Sequence, residues 1–88
     1  MFNVSNKSIP LRLSEAKKNK KYVISSIHDN GAYLDKFNKL GFYPGQVVEL
    51  RRKAPLFGNP LLFQIDDGQY ALTKNEAMLV EVTDLDSE

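Results

Sequence analysis

The sequence predicts a mainly β fold, a small, partly open barrel of about five short strands with one inserted α-helix at about 32–40. Three observations carry that expectation. Short alternating apolar runs recur along the chain, each bounded by Gly, Pro or Asn-Gly punctuation. One segment alone has sustained helical periodicity. Finally, 88 residues with 42% apolar content hold one modest core, too little for two deep sheets. A curled sheet leaves few exposed edges in a chain of this length.

The elements follow in order. Leu11 and Leu13 open the domain, and Ser14-Glu15-Ala16 makes a short turn before the solvated loop "KKNKK". Tyr22 to His28, with Val23, Ile24 and Ile27, is rich in β-branched residues and predicts a strand, ended by Asn30-Gly31. In the helix, Tyr33, Leu34, Phe37 and Leu40 form one apolar stripe, Asn30 is the expected N-cap, and Gly41 is placed to end it in a left-handed conformation. Pro44-Gly45 turns the chain into "QVVELRR", where Val48 and Leu50 face one way. Pro55 and Pro60 flank the loop "LFGN", with Gly58 in its turn, and Leu61, Phe63 and Ile65 alternate as the next strand. Asp67-Gly68 signals a hairpin into "QYAL". Thr73 and Glu76 have capping-box spacing for a single helical turn at about 74–77, and Met78, Val80 and Val82 form the last strand. Strand, helix, three strands, helical turn and strand, in this order, read as an SH3-like barrel. Residues 1–8 are expected as a flexible N-terminal tail, 9–83 as the domain, and 84–88 as an acidic tail.

Composition narrows the function. Twelve Lys+Arg against eleven Asp+Glu leave a net charge of +1, so no global field draws the chain to nucleic acid or anionic lipid. There is no cysteine, hence no disulfide and no thiolate metal site. The start lacks the pattern of a secretory signal, and no wholly apolar run exceeds the four residues of Ala77–Val80, so the expectation is a cytoplasmic protein with no membrane insertion.

Chemistry is thinly represented. The single histidine, His28, sits beside Asp29 at a strand exit, where neighbouring side chains diverge, and no phosphate-binding glycine motif occurs. No catalytic residue, no enzyme activity and no resident cofactor are expected. His28, Asp29 and Glu49 are the weak metal candidates, and with one histidine they offer Fe(II) at most a weak site. The basic clusters "KKNKKY" and "RRK" are the only nucleic-acid signal, and acidic residues offset both. Protein docking is better supported. Phe42 and Tyr43 at the corner and Leu56 and Phe57 in the loop are aromatic or apolar side chains in turns, with Lys39, Arg51 and Arg52 as a polar rim. Gly41, Pro44, Gly45, Gly58 and Gly68 are assigned to turn architecture.

Several of these residues together resemble the FeoA family. The pattern is Leu40-Gly41, two residues, Pro44-Gly45, the strand around Val48, then Pro55, Gly58 and Pro60, then Ala71-Leu72, Glu76-Ala77 and Val80. The likeness runs from about residue 9 to 83, departing from the family at Asp35–Lys39 and at "KNKK". It implies a small cytoplasmic SH3-like accessory protein of bacterial ferrous-iron uptake. Its implied partner is the FeoB-type membrane transporter or that transporter's G-protein domain. Weak self-association is a further expectation. The alternative is a stand-alone SH3-like barrel that binds nucleic acid or carries a weak divalent metal site.

Overall fold

Alternation of apolar and polar residues at period two, read against where each side chain ends up, accounts for most of this fold. The computed structural model describes residues 10–29, 31–54 and 59–85. Strands β1 (Leu11–Arg12), β2 (Lys21–Ile27), β3 (Val47–Lys53), β4 (Leu61–Ile65), β5 (Gly68–Leu72) and β6 (Val80–Asp84) form one antiparallel sheet in the order β1-β6-β2-β3-β4-β5. It does not close. Helix α1 (Leu34–Leu40) is inserted between β2 and β3, and α2 (Lys74–Ala77) between β5 and β6. The fold is SH3-like, with six strands where about five were expected, because Leu11 and Arg12 pair with Val82 and Glu81.

Tyr22 and Ile24, Val48 and Leu50, Leu61, Phe63 and Ile65, and Val80 and Val82 all point into one core. Two β-bulges interrupt the ladders, between Ile24 and Ser26 on β2 and between Leu50 and Arg52 on β3. Each leaves one extra residue, Ser25 or Arg51, and sharpens the local twist, which curls six short strands around a single core. The β3 bulge also explains why Arg51, Arg52 and Lys53 are all exposed in succession.

Four expectations need correction. The helix begins at Leu34, not 32, and Tyr33 at its N-cap position makes no side-chain capping bond. Instead the Asp29 carboxylate accepts hydrogen bonds from the Gly31 and Tyr33 N–H groups at 2.9 and 2.8 Å; Asn30 lies outside the described residues. The helix's apolar stripe is only partly covered. Phe37 is buried, but Tyr33 and Leu34 are exposed. The hairpin turn is Asp66-Asp67, since Ile65 pairs with Gly68, and Asp66 takes the positive φ of 52°. Gly68 is therefore a strand residue. A side chain there would run into the Tyr70 phenol ring, with Cε2 at 2.7 Å from the added Cβ. Met78 belongs to the turn after α2 and is exposed, and β6 starts at Val80. The last of the expected tail positions to be described are Asp84, which closes β6, and Leu85; the rest of the two tails lies outside the described residues.

Candidate functional site

The corner "KLGFYPGQVVEL" is built from two local motifs placed end to end. Gly41 follows α1 at φ 94°, a conformation open to glycine because it has no Cβ. Its N–H donates to the Asn38 carbonyl at 3.2 Å, and the Phe42 N–H donates to the Phe37 carbonyl at 2.8 Å. This pair of reversed bonds is a Schellman motif, which brings the residue after the glycine against the side chain three positions inside the helix. Here those are Phe42 and Phe37, in edge-on contact with ring centroids 6.2 Å apart.

The second motif is a type II turn. The Gln46 N–H donates to the Tyr43 carbonyl at 3.1 Å, with Pro44 first in the bend and Gly45 at φ 94° second. The turn is fastened to β2, where the Gly45 N–H donates to the Ile24 carbonyl and the Ile24 N–H to the Gln46 carbonyl, at 2.8 and 2.9 Å.

The two aromatics thereby separate. Phe42 is fully buried and packs edge-on against Phe63 and Tyr70 as well as Phe37. The expectation of Phe42 as a surface anchor is corrected by this burial. It has no exposed surface, because the Schellman geometry aims it inward. Tyr43 is 44% exposed.

Tyr43 stands at an open groove of about 410 Å³ between the corner and the β4–β5 hairpin. One wall is Lys39, Leu40, Gly41, Tyr43 and Gln46. The other is Ile65, Asp66, Asp67, Gly68 and Tyr70. Gln46 reaches across, its Nε2 lying 3.5 Å from Asp66 Oδ2. The groove is amphipathic, with tyrosine rings on both sides, a lysine on one rim and two carboxylates on the other. Its second wall was not found from sequence, since the Asp-Asp-Gly turn is locally readable but its meeting with a corner twenty residues earlier is not.

The remaining predicted site residues disperse. Of those residues, the groove gathers Lys39, Gly41, Tyr43 and Gly68. Arg51 and Arg52 lie toward the far end of β3, roughly 13 Å along the strand from Val47. Arg51 Nη1 is 3.1 Å from Glu49 Oε2. Leu56, Phe57 and Gly58 lie outside the described residues. Lys36 on α1 is held by Glu76 at 2.6 Å, tying α1 to α2.

The three metal candidates are not brought together. The Asp29 carboxylate is committed to the amides before α1 and Glu49 to Arg51. His28 Nε2 lies 2.6 Å from Glu81 Oε1 and 3.2 Å from the Ser26 hydroxyl. Among the described residues no three His, Cys, Asp or Glu side chains gather as a metal site. The hydrogen bond to His28 holds the Glu81 carboxyl below its usual range, against slight desolvation, helped by the charges of His28 and Arg12 and the Ser25 hydroxyl. No helix among the described residues is long and apolar enough to cross a membrane.

Comparison with known proteins places the whole of this architecture in one group. Residues 11–84 match the model of the FeoA domain. No curated protein matches the chain by sequence. Among solved structures, the iron(II) transport protein A of Clostridium thermocellum superposes with a TM-score of 0.80 at 29% identity, covering 85% of this chain and 46% of that one. This chain thus spans under half the length of that relative. The FeoA of Stenotrophomonas maltophilia, solved with zinc, gives 0.73 at 35% identity, covering 88% of this chain and 93% of that one. A manganese-dependent transcriptional repressor shares the fold alone, with a TM-score of 0.78 at 16% identity over 89% of this chain and 43% of its own.

Proposed function

The chain belongs to the FeoA family, linked to ferrous iron transport, and on that premise we propose that it is a non-enzymatic, cytoplasmic accessory protein that docks on an FeoB-type transporter. Its contact there is the transporter's cytoplasmic G-protein region. The observation that carries this reading is the match to the FeoA domain across residues 11–84, essentially the entire described fold.

The groove supports a docking role. An exposed tyrosine in a tight turn, next to a second tyrosine and rimmed by both charge signs, is the composition of a recognition surface. The backbone around it is fixed by the Schellman motif, the type II turn and their bonds to β2, so little order has to be gained on binding. Leu56 and Phe57 are kept as proposed partner contacts on the strength of the sequence alone, and Arg51 and Arg52 form a separate basic patch toward the far end of β3.

Binding to the soluble G-protein region, followed by calorimetry, tests the assignment. Tyr43→Ala is expected to weaken binding roughly tenfold or more while thermal stability holds. Arg52→Ala, outside the groove, is expected to change it less than about threefold. Full affinity in a folded Tyr43→Ala protein moves the surface elsewhere, and no binding by the wild-type chain removes the docking reading.

A further inference from the structure

The charges of this chain nearly cancel in sum but are unevenly placed. Its two basic runs, 17–21 and 51–53, are far apart in sequence, and the fold brings them to one end of the sheet. β2 starts where the antiparallel β3 ends, with Lys21 opposite Glu49. The loop ahead of β2 continues along β3: Lys18 bridges Leu50, and the Asn19 N–H donates to the Leu50 carbonyl at 2.8 Å. Seven of the twelve Lys and Arg residues therefore share this end, the four lysines of the first run and all three residues of the second, and all but Lys20 are exposed.

Two carboxylates answer them, Asp84 on Lys20 at 2.6 Å and Glu49 on Arg51 at 3.1 Å. Among the described residues no ion pair engages Lys17, Lys18, Lys21, Arg52 or Lys53. The β4–β5 turn with Asp66 and Asp67 lies at the other end, because β4 starts opposite Lys53 and runs back along β3. A net charge of +1 thus conceals a basic pole. Its uncharged side chains narrow what it can hold. Tyr22, the aromatic beside the lysines, is buried, with its hydroxyl accepting from the Lys17 N–H at 2.9 Å, so it gives bases no platform for stacking. Leu85 follows β6 and is 43% exposed, and its N–H donates to the Lys21 carbonyl at 3.1 Å, which sets an apolar side chain among the cations. A leucine in a cationic field matches the boundary between lipid headgroups and acyl chains, and a phosphodiester backbone has nothing to receive it.

We propose that this end of the sheet is a second interaction surface, which adsorbs to an anionic lipid bilayer without entering its hydrocarbon core. The cations meet the headgroups, and Leu85 reaches the boundary beneath them. The groove between the corner and the β4–β5 turn is at the opposite end and stays open, so one molecule can hold a membrane surface and a protein at once. The choice of lipid over another polyanion rests on the docking reading, which sets the chain beside a membrane transporter. The attraction is electrostatic and reversible, because each Lys or Arg near such a surface adds only about 1 kcal/mol.

Co-sedimentation of the full chain with vesicles tests it, and no transporter is present, so the outcome is read apart from docking. The vesicles are phosphatidylcholine alone or with about one-third phosphatidylglycerol. The wild type is expected to bind the anionic vesicles at about 0.05 M salt, to leave them at about 0.5 M, and to ignore the neutral ones. Arg52→Gln with Lys53→Gln is expected to weaken binding roughly thirtyfold. The charge-matched pair Lys36→Gln with Lys39→Gln, on α1 at the other end, is expected to change it less than about threefold. Leu85→Ser should weaken it about threefold or more, which a purely electrostatic contact would not show. Equal partition onto both vesicle types overturns the proposal, as does a loss that is the same for the two double variants. Tighter binding to a DNA duplex than to anionic vesicles at the same salt and phosphate concentration overturns the lipid assignment.

Discussion

At the level of single residues, Phe42 and Tyr43 are adjacent in sequence and opposite in role. Both sit in a turn, where apolar side chains have no obvious reason to be, and composition gives them equal claim to a surface. The decision is made by backbone geometry. Phe42 follows the left-handed Gly41 and is carried back onto Phe37, while Tyr43 is one residue further and starts the next turn. Phe42→Ala is expected to cost about 3–5 kcal/mol in urea denaturation, since it removes a buried ring that contacts Phe37, Phe63 and Tyr70. Tyr43→Ala should stay within roughly 0.5 kcal/mol of wild type, as an exposed turn residue does. Equal losses in the two variants would mean that the rings share one role. The sequence made Gly41 legible as a helix stop, because positive φ selects glycine. It did not make the burial of Phe42 legible, because the Schellman contact shows only when the stop and the aromatic beside it are read as one motif.

Among the elements, α2 shows how a four-residue helix persists without length. The Thr73 hydroxyl accepts from the Glu76 N–H at 3.1 Å, and Glu76 Oε1 accepts from the Thr73 N–H at 2.9 Å. This box was readable from the spacing of Thr73 and Glu76. The partner of the other carboxylate oxygen, Lys36 at 2.6 Å, was not, since it lies forty residues away on another helix. Burial pushes the Glu76 pKa up, but the hydrogen bonds from Lys36 and Thr73 and the lysine's charge outweigh it, so the carboxyl sits below its ordinary value of 4.5. Glu81 is lowered as well, by His28. For both groups the unfolded chain takes up protons first on acidification, so their contribution is complete above about pH 4.5 and is lost as pH falls through the lowered folded values. Thermal melts between about pH 3 and 6 should show stability dropping below that point, and Glu76→Gln should flatten the drop. Thr73→Ala should cost about 1 kcal/mol at neutral pH through the lost cap. A Glu76→Gln protein with an unchanged acid limb would mean that the bond to Lys36 carries no stability.

For the molecule as a whole, the sequence revealed strands but not their neighbours. β3, β4 and β5 are consecutive in the chain and in the sheet, which turn signals at Pro60 and Asp66–Gly68 could foretell. β6 lies between β1 and β2, a placement no local pattern encodes, because any apolar strand edge could have accepted it. The groove inherits that limit. Its walls come from segments whose periodicity is clear and whose meeting depends on how far the bulges at Ser25 and Arg51 curl the sheet. Charge can be judged at this scale, and it bears on the proposed docking. With a net of +1 and Lys39 facing Asp66 and Asp67 across the groove, the surface has no dominant sign to steer a partner from a distance. Recognition then rests on shape and on the tyrosine rings, whose contribution salt does not screen. Affinity for the G-protein region should therefore vary less than about threefold between about 0.05 and 0.5 M salt, where a phosphate-like or strongly charged target would lose far more. The same titration with single-stranded RNA should give no binding at the upper end. A steep salt dependence with the protein partner would shift the contact from the groove to the basic run of Arg51, Arg52 and Lys53, and Arg52→Ala would then be the variant that abolishes it.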